Sequence, residues 1–101
     1  MKFYILSGVY NTDCKLSQAE KEAIMPGHIA FVESGVKSGN VLFGGPRANG
    51  ESGMIVVRAE SEKALAEYIA TDPMVINGVQ HYDITELLPK EHLPCIETWL
   101  N

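Results

Sequence analysis

The centre of the chain has the sequence VLFGGPRANGESGMIVV, from Val41 to Val57. Both ends of this segment are short apolar runs, 41–43 and 54–57, which predict buried strands. Between them, the stretch from Gly44 to Gly53 is dense in glycine, proline and asparagine, which is typical of a loop. The segment therefore predicts a β-hairpin, whose second strand extends from Gly53 to Glu60.

Upstream of the hairpin, the sequence predicts one strand and a helical region. Residues 2–9 are rich in aromatic and branched side chains, which favour a strand. Ser17 and Glu20 have the spacing of a capping box, in which each side chain bonds the backbone N–H of the other residue. Because Pro26 has no N–H to donate, we expect a short helical segment to about Ile24 and a principal helix from Pro26 to about Lys37. The apolar residues of the principal helix recur at helical spacing, at Ile29, Val32 and Val36.

Downstream of the hairpin, the sequence predicts a second helix and a last strand. Ser61 is an N-cap residue, and the helix that it begins extends to about Thr71. The apolar stripe of this helix consists of Ala64, Leu65, Tyr68 and Ile69. Asp72 precedes Pro73, and the residue before a proline disfavours helical geometry, so the helix should end there. The last strand is expected from Val79 to Leu88.

The order β-α-β-β-α-β predicts an α+β fold of the ferredoxin-like kind, with one antiparallel four-stranded sheet and two helices on one face. A strand with one wet face alternates apolar and polar residues. Residues 3–6, 41–43 and 54–57 are instead apolar at successive positions, so the second sheet face is apolar too. Because a monomer rarely exposes such a patch, we expect a second copy of the chain to cover it, giving a homodimer.

Composition and charge exclude several classes of protein. The 101 residues suffice for one domain. The net charge is −5 and no run of lysine or arginine occurs, which argues against nucleic-acid binding. The two cysteines, Cys14 and Cys95, are too few for a disulfide scaffold and suit a reducing compartment. Since we find no signal peptide and no apolar run of about 18–20 residues, we expect a cytoplasmic protein without a membrane span.

His28 and Asp72 are candidate catalytic residues, and each has a structural alternative. His28 is expected in the first turn of the principal helix, where its imidazole can accept a proton. Alternatively, it is a half-buried histidine bonded to a backbone carbonyl. Asp72 is expected at a helix C-terminus, which disfavours an anion, so the carboxylate requires a compensating partner. Alternatively, it forms an Asp-Pro turn.

The segment Gly44–Arg47 is a second candidate site. Glycines let the backbone approach a ligand, and Arg47 is available for an anion. The segment has no phosphate-loop pattern, and a plain hairpin loop is the alternative. No metal site is predicted, because His81 and Asp83 share a strand face without any metal-binding spacing around them. No cofactor is predicted.

Taken together, these pieces resemble the YciI-like proteins, the family of the YCII-related domain. The resemblance covers about residues 2–88 and rests on an opening strand, the helix with His28, the segment Val41–Pro46, the strand Gly53–Val57, the helix that ends in Asp72-Pro73, and a closing strand with Tyr82 and Ile84. It implies a dimeric α+β barrel built from a domain over residues 1–88. Residues 89–101 are then a tail that packs on the domain or on the partner subunit.

The resemblance also implies a pocket between the sheet and the helices. In that pocket His28 is the general base and Asp72 orients it, while Gly45 and Pro46 border the substrate. Arg47, which the loop offers for an anion, is added as a third candidate substrate-binding residue. One branch of the family removes chloride from a chlorinated hydroxyhydroquinone, a lyase reaction that such acid–base chemistry serves. The expected function is therefore lyase or isomerase chemistry on a small aromatic or carbonyl-bearing molecule. The alternative is a non-catalytic module that binds a small ligand or mediates assembly, since one fold hosts many functions.

Overall fold

The computed structural model describes residues 1–101. Its elements in chain order are β1 (Lys2–Tyr10), α1 (Gln18–Ser38), β2 (Val41–Gly45), β3 (Met54–Ala59), α2 (Glu62–Ile69), α3 (Pro73–Ile76), β4 (Gln80–Leu87), a 3-10 turn (Pro94–Ile96) and α4 (Glu97–Leu100). The short helices α3 and α4 are additions to the predicted set. None of the helices combines the length and the apolar character that crossing a membrane requires.

The four strands form one antiparallel sheet in the order β2-β3-β1-β4. Strand β1 lies inside the sheet, where its Ile5 pairs with Val56 of β3 on one side and with Thr85 of β4 on the other. Helices α1 and α2 both contribute to the core that covers one face. The predicted α+β class with a ferredoxin-like arrangement is confirmed.

The core lies between the sheet and these two helices. Its buried side chains are Tyr4, Leu6, Phe31, Val41, Ile55, Val57 and Leu65. Gly35 allows α1 to lie close to its neighbours, because a Cβ at this position would overlap Val41 Cγ2 and would be 2.5 Å from the Tyr68 hydroxyl. A side chain here would push α1 away from the sheet.

Helix α1 is continuous, so the predicted break near Pro26 is wrong. It begins at the expected capping box, in which Ser17 Oγ accepts from the Glu20 N–H and the Glu20 carboxylate accepts from the Ser17 N–H, both at 3.1 Å. Pro26 removes one helical hydrogen bond, the one that would reach the carbonyl of Glu22. Both Pro26 and Glu22 are exposed, so water can replace the missing donor.

The buried face of α1 differs from the predicted stripe. The buried residues are Phe31 and Gly35, which lie four positions apart on one side of the helix. Ile29 and Val36 are half exposed, and Val32 only flanks the core. Apolar spacing alone therefore does not identify the core-facing side of this helix.

The sheet face opposite the helices is called the open face here, and it carries Phe3, Ile5, Phe43, Val56 and Arg58. In β1 and β3 these residues alternate with the buried core residues, and they pair across strands as Phe3 with Arg58 and as Ile5 with Val56. In β2, a register shift between Val41 and Phe43 places Phe43 opposite Val56 on the same face. Phe43 is 64% exposed in the single chain.

The tail after β4 folds back onto one end of the open face. The Trp99 ring packs against Phe3 with 5.4 Å between ring centroids, and the Arg58 guanidinium lies 5.4 Å from the Trp99 ring centre. Trp99 Nε1 donates to the Gly39 carbonyl at 2.6 Å, and Arg58 donates to the Trp99 carbonyl at 2.8 Å. The tail thus covers the Phe3 end and leaves Ile5, Val56 and Phe43 free of it.

Candidate active site

The fold brings His28 and Asp72 together, although 44 residues separate them in sequence. Nδ1 of His28 lies 2.9 and 3.1 Å from the two carboxylate oxygens of Asp72. The side chain of Asp72 is 0% exposed and that of His28 is 17% exposed. The sequence predicted His28 in the first turn of its helix. Because α1 is continuous from Gln18, His28 instead lies in the middle of the helix.

Asp72 begins a helix instead of ending one, which corrects its predicted place. It is the N-cap of α3, and its Oδ1 accepts from the backbone N–H of Met74 at 3.0 Å. The N-cap position favours aspartate because the first backbone N–H groups of a helix have no partner inside it. A backbone N–H group, that of Met74, is therefore one of the compensating partners expected for this carboxylate.

Two further side chains complete the surroundings of Asp72. The Tyr82 hydroxyl donates to Oδ2 at 2.6 Å, and Gln80 Nε2 donates to the same oxygen at 3.4 Å. Burial raises the pKa of Asp72 and is the largest single effect, but the hydrogen bonds from His28, Tyr82 and Met74, with the charge of His28, hold that pKa below its ordinary value. Asp72 is therefore a buried anion at neutral pH.

This network determines how His28 is oriented. An ionised carboxylate only accepts hydrogen bonds, so Nδ1 of His28 must carry a proton. Nε2, the other ring nitrogen, has no hydrogen-bond partner in the chain. In the neutral ring, Nε2 holds a lone pair that can accept a proton, and the Asp72 anion then stabilises the imidazolium.

Aromatic rings support the pair from the core side. The Phe31 ring is stacked beside His28, with 6.1 Å between centroids, and Tyr68 is stacked on Phe31 at 4.3 Å. Burial, followed by repulsion from Asp72, raises the pKa of Tyr68 to about 12. Burial and the hydrogen bond to Asp72 also raise the pKa of Tyr82. Both tyrosines therefore keep their protons at neutral pH and act as hydrogen-bond donors.

A cavity of about 330 Å³ lies beside His28, bordered by α1, the sheet and the hairpin loop. Helix α1 contributes one stripe to its wall, formed by Met25, His28, Ile29, Val32 and Glu33. This stripe explains why Ile29 remains exposed. Gly45 and Pro46 line the same cavity. Asp72 does not reach it and lies behind His28.

Arg47 is outside the cavity wall, and other contacts occupy its guanidinium. Nε donates to the Ser52 carbonyl at 2.6 Å, one terminal nitrogen donates to the Gly8 carbonyl, and the other pairs with Glu51 at 2.7 Å. In this structure the arginine fastens the hairpin loop to β1. No lysine or arginine belongs to the cavity lining.

Three polar residues near the pair were not predicted from the sequence. Tyr82 and Gln80 lie on the face of β4 that points toward the helices, and both line the cavity together with Ser52 of the hairpin loop. The period of two along β4 places Gln80 on the same face as Tyr82, and a glutamine at a buried strand position is the signal that was available.

No group of three or more histidine, cysteine, aspartate or glutamate side chains is placed to hold a metal ion. His81 is not part of the cavity wall, and its Nδ1 lies 2.6 Å from Asn11 Oδ1.

Comparisons with known proteins agree with the observed fold. The family model described as the YCII-related domain matches residues 1–88. No curated protein matches the chain. One similar solved structure is 5-chloro-2-hydroxyhydroquinone dehydrochlorinase (TftG) from Burkholderia phenoliruptrix AC1100, in complex with 2,5-dihydroxybenzoquinone. It is 18% identical, with a TM-score of 0.61, and the match covers 84% of this chain and 91% of TftG. The Arabidopsis thaliana protein At3g17210 is 15% identical, with a TM-score of 0.45, and the match covers 92% of this chain and 99% of that protein.

Proposed function

The chain belongs to the family of the YCII-related domain, and on that premise we propose that it is a small-molecule enzyme with acid–base chemistry. His28 is the general base and Asp72 orients it. The observation that carries this proposal is the 2.9 Å contact between His28 Nδ1 and the buried Asp72 carboxylate, which leaves Nε2 as the proton acceptor on a residue that lines the cavity.

In the proposed reaction, Nε2 of His28 takes a proton from an activated C–H or O–H group of the substrate. The electron pair that remains moves toward a neighbouring carbonyl in an isomerisation, or expels a leaving anion in an elimination. In an isomerisation the imidazolium returns its proton to another substrate atom. In an elimination it loses the proton to solvent. Asp72 stabilises the imidazolium during either sequence, and a positioned base of this kind contributes about 10²–10⁴-fold to the rate.

The cavity favours a small molecule without a carboxylate or phosphate group. Its volume of about 330 Å³ suits a single ring. Glu33 and Glu51 line it without any cationic residue. Met25, Met54 and Met74 also line it, and their polarisable thioethers pack well against aromatic rings. We propose a hydroxylated aromatic or carbonyl compound as the substrate class, and the complex of TftG with 2,5-dihydroxybenzoquinone supports this choice.

Exchange of substrate hydrogen for deuterium tests the base without knowledge of the product. Hydroxyquinones and 1,3-dicarbonyl compounds are incubated with the protein in D₂O, and loss of the C–H signal is followed by proton NMR. We expect the native protein to accelerate this exchange, and we expect His28→Gln to lose about 10²–10⁴-fold of the acceleration. Glutamine retains a donor for Asp72 and removes the basic nitrogen.

The matched control is His81→Gln, which alters a histidine outside the cavity and should leave the exchange rate unchanged. If native protein and His28→Gln exchange the substrate equally, His28 is not the base. If both bind the compound and neither exchanges it, the protein is instead a non-catalytic ligand-binding module.

We also propose that the protein is a homodimer formed through the open face. The support is the exposure of Phe43 beside Ile5 and Val56, which leaves an apolar band on a sheet that the tail covers at one end only. A second copy that packs sheet against sheet would bury this band.

A further inference from the structure

Three buried polar residues form one hydrogen-bonded chain that ends at the His28–Asp72 pair. Ser52 is 5% exposed, Gln80 1% and Asp72 0%, and these three are the buried polar or charged side chains of the molecule. Ser52 Oγ donates to Gln80 Oε1, and Gln80 Nε2 donates to Asp72 Oδ2 at 3.4 Å. The hairpin loop is thus connected through β4 to the carboxylate that holds His28.

The direction of this chain follows from the charge of Asp72. A glutamine amide has a donating end and an accepting end, and its two orientations differ by a flip of the amide. Only the NH₂ end is favourable beside the carboxylate, so Oε1 must point away, toward Ser52. The Ser52 hydroxyl then satisfies Oε1, which would otherwise be buried without a donor.

The loop that carries Ser52 is fixed in place by the three Arg47 contacts with Ser52, Gly8 and Glu51. Gly8 leaves the space for this arrangement, because a Cβ on that residue would lie 2.9 Å from Ser52 Cβ and 3.1 Å from Gln80 Oε1. A larger residue in β1 would therefore displace Ser52 or Gln80.

From these contacts we infer that Ser52 and Gln80 are positioning residues, through which the hairpin loop sets the orientation of Asp72 and His28. The inference rests on the proposed function, because it extends the network of the same base. Ser52, Glu51 and Gly53 also line the cavity, so a ligand that contacts the loop acts on the carboxylate through Ser52 and Gln80. Arg47 holds the loop from outside the cavity wall.

The test uses the full chain without substrate and reads the His28–Asp72 hydrogen bond directly. Nδ1–H of His28 is observed by NMR in ¹⁵N-histidine-labelled protein, and its exchange rate with solvent is measured. In Ser52→Ala, Gln80 Oε1 loses its donor, so the Gln80 side chain is held less firmly against Asp72. We expect the Nδ1 proton to exchange about tenfold faster or more, the change that corresponds to loss of the Gln80 hydrogen bond to the Asp72 carboxylate. Ser52→Cys keeps a weak donor of similar shape and should give an intermediate rate.

Ser38→Ala is the matched control, because the Ser38 hydroxyl donates to the Gly35 carbonyl at 3.0 Å and has no contact with this chain. Its Nδ1 exchange rate should equal that of the native protein. Ser52→Cys also preserves the test if Ser52→Ala does not fold. Equal exchange rates in native protein and in the folded Ser52 variants would overturn the inference.

Different results would overturn the proposed function and this inference. If the native protein shows no substrate exchange in D₂O but the Ser52 variants change the His28 signal, the positioning role stands and the catalytic role does not. If the native protein is active and the Ser52 variants leave the His28 signal unchanged, only the positioning role fails. In an active protein, Ser52→Ala should lower kcat with little change in KM, since the loss affects orientation of the base.

Discussion

Asp72 is the residue at the centre of the candidate site's hydrogen bonds, and its side chain has no exposed surface. A carboxylate in that position is stable only because donors surround it: the imidazole of His28, the hydroxyl of Tyr82, the amide of Gln80 and the backbone of Met74. Removing any one of these donors leaves the Asp72 carboxylate less stabilised, and its hydrogen bond to His28 then orients the imidazole less firmly. The burial that makes the pair rigid also makes it sensitive to substitution.

Acid should therefore destabilise the protein through Asp72. Since the folded-state pKa of Asp72 lies below its unfolded value, the carboxylate contributes fully to the free energy of unfolding above the unfolded pKa. That contribution disappears as pH falls through the folded pKa. We expect Asp72→Asn to lower the free energy of unfolding at neutral pH by about 1–3 kcal/mol, because at least one buried donor loses its acceptor. Urea unfolding over the acid range should show a shallower pH dependence in this variant than in the native protein.

Asp83→Asn is the control for this measurement, because Asp83 is exposed. It should retain the native pH dependence. Parallel pH profiles for Asp72→Asn and the native protein would show that the Asp72 carboxylate does not contribute to acid sensitivity.

The sequence identifies His28 and Asp72 as a pair only through the family resemblance. Their spacing of 44 residues gives no local signal, and the expected C-terminal position of Asp72 was wrong because Pro73 starts a new helix. Proline is well suited to the first turn of a helix, so an Asp-Pro pair can begin a helix as readily as it ends one. Ser52 lies in the hairpin loop and meets Gln80 only in the folded chain, so no pattern predicted this contact, although the period of two along β4 placed Gln80 on the face of Tyr82.

At the scale of elements, α1 tolerates a proline that the sequence suggested would divide it. The helix has 21 residues, a capping box at its start and a left-handed Gly39 at its end. These features, together with the packing of Phe31 and Gly35, stabilise the helix on both sides of Pro26. Tertiary packing therefore outweighs the local signal, and the missing bond lies on the exposed side.

The missing bond should still be measurable. In Pro26→Ala, the new N–H can donate to the carbonyl of Glu22, and the ring no longer crowds that turn. We expect the free energy of unfolding to rise by about 1–3 kcal/mol, less the small entropy that the unfolded chain regains when proline is removed. Pro89→Ala, in the exposed segment after β4, is the control and should give no such increase. Urea unfolding that shows no gain for Pro26→Ala would mean that α1 already compensates for the lost bond.

At the scale of the whole molecule, the order of strands and long helices was predictable because each element carries its own signal. Turn formers separate β2 from β3, serines precede α1 and α2, and apolar runs mark the strands of the sheet. Two properties were not predictable in this way. The buried side of α1 depends on which stripe faces the sheet and which faces the cavity, and the position of the tail depends on contacts of Trp99 with distant residues.

The open face makes a prediction about assembly. We expect light scattering at micromolar concentration to give the mass of a dimer for the native chain. Phe43→Glu places a charge in the apolar band, and burying an unpaired carboxylate is unfavourable, so this variant should be a folded monomer. Ile76→Glu alters a side chain that is 66% exposed, similar to the 64% of Phe43, but lies on α3, and should remain a dimer. A native protein with the mass of a monomer would contradict the proposed interface.

The docked tail has an optical consequence, because Trp99 is the single tryptophan of the chain. Its indole rests on Phe3 and beneath Arg58. With excitation that selects tryptophan over the four tyrosines, the emission therefore reports the seating of the tail. Few contacts hold this segment, and such segments open at lower free energy than the sheet. In a denaturant titration, the emission should therefore shift to the red before far-ultraviolet circular dichroism records the loss of helices and strands. Coincident transitions would instead mean that the tail and the sheet unfold as one unit. A change in tryptophan emission on dilution of the native protein would then show that the indole also contacts a neighbouring subunit.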